Sequence, residues 1–297
     1  MPSKVIGIGE ILWDLFPKGK KLGGAPANFA YFVKNLGQDG LTASRIGNDP
    51  PGADILNLLK DIGLDEKFIE VDSKYPTGTV VVKLRGSGQP DYIISEKVAW
   101  DFLEFSDNWK KLSREADVIC FGTLAQRSLK SRRTIMNFLK LSGNNAVRVF
   151  DINLRQNFYS LTTIIQSLEL ATILKLNQDE LEVLKNSEGF PRISDDIGFC
   201  RELIGIYDIG LICVTRGENG SLLIDGNCYH DHPGYKVTVA DTVGAGDAFT
   251  AGMVIKYLQG GTLEDMSIFA NRLGSWVASR TGSTPELDEE IKRHLSK

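Results

Sequence analysis

The chain is poor in cysteine and histidine and has no long apolar run. Cys120, Cys200, Cys213 and Cys228 are scattered over 297 residues without a C-x-x-C pair, so neither a zinc cage nor a disulfide framework is indicated. Three of them stand among apolar neighbours, as buried inert thiols do. Only His230, His232 and His294 are present, and no H-R-D triplet occurs, which excludes a protein kinase. The pair His230 and His232, near Cys228 and separated by Asp231, is read as a solvent-facing turn rather than a metal site. No stretch approaches the roughly 20 apolar residues of a membrane-spanning helix. Met1-Pro2-Ser3-Lys4-Val5 leads straight into strand-like residues without a signal-peptide pattern, so a cytoplasmic protein is expected. Excess positive charge is also missing. The 34 Lys+Arg against 38 Asp+Glu leave a net charge of −4, with no global basic field to hold a nucleic acid. At 42% hydrophobic and 24% charged residues, the composition is that of a soluble globular protein.

Short β-branched runs alternate with helix-period segments along most of the chain. Val5-Ile6-Gly7-Ile8 reads as a first strand. Phe29, Phe32, Val33 and Leu36 then recur at i, i+3, i+4 and i+7, and Gly37 supplies a C-terminal stop. Ile55, Leu58, Leu59 and Ile62 repeat that spacing before Gly63. Runs at 117–121, 146–150, 172–176 and 211–214 look like buried strands, and helical stretches separate most of them. This pattern predicts a parallel sheet covered by helices on both faces. Residues 10–16 and 79–94 break the alternation with a period of two, the second segment interrupted by Gly86-Ser87-Gly88 as a hairpin turn. No repeat, low-complexity tract or long linker divides the chain. The expectation is one α/β domain over residues 1–297, with a small antiparallel lid drawn from about 10–17 and 77–99. An exposed lid edge with an apolar face would close over a substrate or pair with a second copy of the chain as a homodimer.

The strongest local signal is Asp241-Thr242-Val243-Gly244-Ala245-Gly246-Asp247, running into the helix-period residues Phe249, Met253 and Tyr257. A glycine turn that opens a helix offers free N–H groups at the positive end of the dipole, a site for phosphate or developing oxyanion charge. Asp247 would repel a bound phosphate unless it accepts a proton from the incoming nucleophile. Anion-stabilising amides beside a general base are what phosphoryl transfer to a hydroxyl needs. The same residues also read as an N-terminal cap after a glycine turn. Gly23-Gly24-Ala25-Pro26-Ala27-Asn28 is a second glycine turn entering a helix, with Asn28 offering a donor and an acceptor one turn in. Asp14 lies between Trp13 and Leu15 and shares a strand face with Leu12 and Phe16. A carboxylate on an apolar face needs partners, which sugar hydroxyls would supply; an exposed edge position is the alternative. No G-x-x-x-x-G-K-[ST] is present, and Gly7-Ile8-Gly9 has Leu12 where a dinucleotide fingerprint needs its third glycine.

Together the two glycine turns resemble the paired signatures of the ribokinase (PfkB) family of carbohydrate kinases, over essentially the whole chain. The resemblance implies a three-layer α/β/α core with a mostly parallel sheet, plus a β lid. Asn177-Gln178-Asp179-Glu180 looks like the family's N-x-x-E motif, which implies that Asn177 and Glu180 organise Mg²⁺ and phosphate, partly through water. The turn from Thr215 through Gly217 to Gly220 resembles the nucleotide-binding turn, and Asn271 matches the helix bordering the adenine pocket. By the same resemblance Asp247 is the base, and the amides of Gly244, Ala245 and Gly246 hold the phosphoryl charge in flight. Asp14, Gly23, Gly24 and Asn28 meet the sugar. A monovalent cation such as K⁺ would sit by Asp241, the Val243 carbonyl and the loop Arg280-Thr281-Gly282; the alternative is that this loop only closes the fold.

Ribokinases proper carry lysine after the double glycine, where this chain has Ala25. The GGAPAN turn, residues 121–127, residues 150–155 and Trp100-Asp101 are similar to fructokinases, and the first three also to 2-keto-3-deoxygluconate kinases. In those enzymes the residue matching Arg155 lies near substrate or phosphate, with a structural ion pair as its rival reading. The expectation is an ATP- and Mg²⁺-dependent sugar kinase acting on fructose. The alternatives are a 2-keto-3-deoxygluconate kinase or another family sugar or nucleoside kinase, and, in a different class, a non-catalytic sugar-binding regulator.

Overall fold

The computed structural model describes residues 2–17, 19–84 and 90–295, and the expected Gly86-Ser87-Gly88 turn lies outside them. The chain opens with β1 (Lys4–Ile8), β2 (Leu12–Phe16), β3 (Gly19–Gly23) and α1 (Ala25–Asn35). There follow β4 (Asp39–Gly47), α2 (Pro50–Asp61), β5 (Ile69–Asp72), β6 (Gly78–Leu84) and β7 (Pro90–Ile94). The middle runs α3 (Asp107–Arg114), β8 (Val118–Phe121), α4 (Leu129–Leu141), β9 (Val147–Asp151), α5 (Leu161–Leu168), β10 (Ile173–Asn177) and α6 (Gln178–Lys185). It ends with α7 (Asp196–Tyr207), β11 (Leu211–Thr215), β12 (Ser221–Ile224), β13 (Tyr229–His232), α8 (Ala245–Leu258), α9 (Leu263–Ala278) and α10 (Glu289–Leu295).

Nine strands form one sheet in the order β13-β12-β11-β10-β9-β8-β1-β4-β5, parallel from β11 to β5, with β12 and β13 antiparallel at one edge. The continuous apolar runs are explained by burial on both faces. Val5, Val118, Cys120, Val149, Ile173 and Cys213 point into a core with α1, α8 and α9. Ile6, Ile119, Phe121, Phe150, Leu174 and Leu176 point into the opposite core. Residues 248–255 of α8 are buried without a break, so this helix is apolar around its whole circumference. The three-layer α/β/α arrangement expected from the sequence is present.

The smaller sheet has the order β3-β2-β6-β7. Its two antiparallel pairs, β2 with β3 and β6 with β7, are joined through a parallel contact between β2 and β6. Beyond the segments anticipated for a lid, it takes in β3, whose Gly-Lys-Lys-Leu-Gly sequence carries no apolar alternation. The strand β4 also escaped the sequence pattern, because Thr42 and Ser44 sit buried in it among the apolar residues. The reading of His230 and His232 as a solvent-facing turn is corrected: both belong to edge strand β13, and the buried His232 accepts a hydrogen bond at Nδ1 from Gly234 N. Cys120, Cys200 and Cys213 are buried and Cys228 is exposed. Among the described residues no helix is long and apolar enough to cross a membrane.

A buried ion pair holds the segment that leaves the smaller sheet after β7. Arg127 Nε and Nη2 each lie 2.8 Å from an oxygen of Asp101, with both side chains at most 7% exposed. The guanidinium is stacked over Trp100 and Phe158, and it also donates to the carbonyl of Ser95 just after β7. Trp100-Asp101 and Arg127 are thus structural partners. Asp101→Asn is expected to lower the unfolding free energy by about 3–5 kcal/mol, because it strands a buried guanidinium; urea denaturation checks this.

Candidate active site

An open cleft of about 620 Å³ lies over the carboxyl ends of the parallel strands. Glu10 follows β1, Asn153 follows β9, and Asn177 and Thr215 end β10 and β11; all four line it. Ligands of open α/β sheets bind at this end, where neighbouring crossovers leave in opposite directions. Here β1 lies between β4 and β8, so the chain runs first to one side and later to the other. Leu12, Asp14 and Phe16 of β2, with Val80 and Ile94 of β6 and β7, form the facing wall. The strand face that Asp14 shares with Leu12 and Phe16 therefore looks into the cleft.

Two helices start at this cleft. Gly24, at φ 112°, precedes α1, and a Cβ there would come within 2.5 Å of the Glu10 carbonyl oxygen. Gly244, at φ 81°, precedes α8, and a Cβ there would come within 2.1 Å of the Ser283 carbonyl oxygen. Both positions need a residue without a side chain, in a conformation that L-residues avoid. Neither glycine has a side chain to cap the first N–H groups of its helix, and at α1 the Glu10 carboxyl takes a hydrogen bond from the Ala25 N–H instead. The helix starts are brought together by Asn28 and Asp247, whose Nδ2 and Oδ2 are 2.8 Å apart across 219 residues of sequence. The other side-chain atom of Asn28, Oδ1, is buried and meets no donor among the described residues. Gly23 lies against Asp14, where a Cβ would come 2.4 Å from Oδ2.

The cleft is rich in carboxylates whose acidity burial weakens. Burial lifts Asp247 to about 6 against the hydrogen bond from Asn28, with nearby Asp151 adding to the rise. It lifts Asp14 to about 6, against the opposing charges of Arg155 and Lys21. Glu10 is lifted furthest, to about 7, against backbone hydrogen bonds and the charge of Arg155. Glu10 was not anticipated as a site residue; the available signal was a charge placed directly after the glycine that ends the first central strand. Arg155 is exposed at the cleft edge and lines it together with these carboxylates.

The remaining expected residues divide between the cleft and the framework. Asn177 and Thr215 line the cleft. Glu180 is buried in a capping box: its carboxylate accepts from the N–H groups of Asn177 and Leu154, while Asn177 Oδ1 accepts from Glu180 N. Both carboxylate oxygens are thereby committed to backbone. Gly217 and Gly220 shape the turn between β11 and β12, outside the cleft lining. Asn271 is buried on α9, donating to Ser221 and Ser267, and likewise does not line the cleft. Asp241 does meet the neighbours expected of it, accepting from the N–H groups of Val243 and Gly282. A third partner was unforeseen: Lys21 Nζ of β3 lies 3.0 Å from Asp241 Oδ2. Although burial opposes it, these donors hold the Asp241 carboxyl below its ordinary range. Arg280 turns its side chain to Trp276 and Asp288. Among the described residues no group of three or more His, Cys, Asp or Glu is arranged to hold a metal.

The pfkB family carbohydrate kinase domain matches residues 18–290, and thus most of the chain. The chain belongs to the pfkB family of carbohydrate kinases. It is similar to a sugar kinase of Pyrococcus horikoshii, 31% identical over 97% of this chain and 94% of the relative. A crystal structure of that sugar kinase superimposes with a TM-score of 0.84 at 29% identity, covering 99% of this chain and 97% of the other. A fructokinase of Escherichia coli is 29% identical over 86% of this chain and 84% of its own length. The 2-dehydro-3-deoxygluconokinase of Thermotoga maritima shares the fold, with a TM-score of 0.86 at 20% identity over 99% of this chain and all of the other. The protein is therefore a pfkB-family sugar kinase.

The raised carboxyls make stability depend on pH in a definite direction. A carboxyl whose pKa is higher in the folded than in the unfolded state binds protons preferentially when folded, so stability falls as pH rises between the two values. For Asp14 that window runs from the ordinary value of 3.8 to about 6. Asp14→Asn is expected to leave the urea midpoint near pH 4 almost unchanged and to raise it above pH 6. Unfolding curves across that window check the sign.

Proposed function

We propose that the protein transfers the γ-phosphoryl group of ATP to a sugar hydroxyl, with fructose converted to fructose 6-phosphate. The observation that carries this reading is the Asn28–Asp247 pair. It sets a buried acceptor without a donor, Asn28 Oδ1, beside a carboxylate lifted to about 6, between two glycine-led helix starts. A hydroxyl supplies the donor that Asn28 lacks, and Asp247 takes its proton as the oxygen attacks. The amides of Gly244, Ala245 and Gly246 hold the phosphoryl oxygens, each such donor being worth about 3–4 kcal/mol in the transition state. Asp14 and the Gly23-Gly24 turn bind further hydroxyls, and the smaller sheet acts as a lid that excludes water.

Mg²⁺ would supply charge neutralisation at the phosphates. Such an ion is commonly held by substrate phosphates and water with few protein ligands. The residues fit that arrangement through Asn177, which lines the cleft, whereas Glu180 is buried outside its lining. The residues fit a potassium ion poorly, because Lys21 already answers the charge of Asp241. ATP and Mg²⁺ are accordingly the proposed requirements.

A neutral polyol suits the cleft better than a sugar acid. Glu10, Asp14 and Asp247 converge on it, and each carboxylate can accept from a hydroxyl but would repel a substrate carboxylate. The specific counter-observation is Arg155, an exposed guanidinium on the same wall that could pair with a sugar acid. An ADP-release assay across fructose, 2-keto-3-deoxygluconate, ribose and nucleosides decides between them. Fructose is expected to give the highest kcat/KM, by about tenfold or more. A higher value on 2-keto-3-deoxygluconate would move the assignment to the sugar acid. No turnover of any of them would leave a sugar-binding regulator instead.

A further inference from the structure

Lys175 breaks the apolar character of β10. Its neighbours Ile173, Leu174 and Leu176 are fully buried, and its own side chain is 8% exposed. The ammonium lies 3.0 Å from Asp151 Oδ1 on adjacent β9, and that carboxylate is equally enclosed. Asp151 Oδ2 accepts from the Thr250 hydroxyl at 3.2 Å, and the same hydroxyl stands 2.9 Å from the Gly246 carbonyl in the first turn of α8. A chain of contacts therefore runs from the middle of the sheet to the start of the helix that carries Asp247.

A buried ion pair is a poor source of stability, since desolvation offsets most of the Coulomb attraction and apolar residues of similar volume would serve as well. The placement of this one suggests another use. Lys175 lines the cleft with Gly244, Gly246 and Asp247, and its Nζ is 3.5 Å from the point where a Cβ on Gly246 would lie. Asp151 accepts one of its three N–H donors, and no other residue among those described takes a second. Burial alone would lower the pKa of the ammonium, but the charges of Asp151 and Glu180 outweigh it and keep the group protonated. The chain has no lysine after its double glycine, so Lys175 brings to the cleft floor a positive charge that Ala25 cannot.

We propose that Lys175 is a further catalytic residue, whose ammonium donates from the cleft floor to the phosphoryl group during transfer, with Asp151 and Thr250 as positioning residues. The role rests on the sugar-kinase reading above. The sugar oxygen forms its bond to the γ-phosphorus as the bond to the bridging oxygen breaks. That electron pair leaves with ADP, the sugar proton passes to Asp247, and Lys175 keeps all three of its protons. Its contribution is charge and one hydrogen bond, beside the helix-start amides.

The test is the paired replacement Lys175→Met/Asp151→Asn, which removes both charges together and strands neither. In an enzyme that phosphorylates a sugar, this variant should keep its urea midpoint and its KM for the sugar. It should lose kcat by about 10²–10³-fold, the usual cost of removing one donor from an oxyanion site. Thr250→Val, which buries no charge, should lower kcat by about tenfold at unchanged KM, because it releases the brace on Asp151. A folded paired variant with wild-type kcat, or one in which only KM changes, overturns the role of Lys175. Should the pair fail to fold, a Thr250→Val enzyme with wild-type kcat overturns it equally. A wild-type chain that turns over no sugar overturns the sugar-kinase reading, and the role of Lys175 with it.

Discussion

The hydrogen bond between Asn28 and Asp247 is the contact on which the site depends. It joins the first turns of α1 and α8, two helices that lie side by side on one face of the sheet and both start at the cleft. Each start is pinned by a glycine whose absent side chain leaves room for a backbone carbonyl from another loop. The result is a pair of helix N-termini that open on one volume, with a carboxylate held between them. Loss of either glycine would displace a helix start, and with it the alignment of the amides with Asp247.

Charge balance is the second constraint. Three carboxyls face a cleft that, in a kinase, must also admit a polyanionic nucleotide. Burial lifts all three towards neutral pH, which makes them better proton acceptors for hydroxyls than ordinary carboxylates. Positive charge is supplied from below by Lys175, at the edge by Arg155 and beside Asp241 by Lys21. A net charge of −4 over the chain is thus no obstacle, because recognition is local.

The parts of this arrangement that follow short-range rules were legible in the sequence. Apolar runs marked β1 and β8 to β11, helical spacing with a following glycine marked α1 and α2, and the two glycine turns marked the helix starts. Asp14, Gly24, Asn28, Gly244 and Asp247 all reach the cleft as expected. Residues whose role depends on contacts across the sheet were harder to read. Lys175 looked like one more strand position, because its partner Asp151 is 24 residues away. Lys21 lies 220 residues from Asp241, in a strand without alternation. Glu180 carries the motif spacing that suggested metal organisation, and that same spacing also makes a capping box at the start of α6. Asn271, expected on the helix beside a nucleotide, bridges α9 to β12 through Ser221, a contact 50 residues away in sequence.

The central claim is that Asp247 takes the proton of the attacking hydroxyl at a cleft framed by the two helix starts. Turnover of the Asp247→Asn enzyme, measured alongside ATP binding by calorimetry, tests it most directly. The account predicts a fall in kcat of about 10²–10⁴-fold, the contribution of a general base, with ATP affinity nearly unchanged. An Asp247→Asn enzyme that turns over at close to the wild-type rate would contradict it.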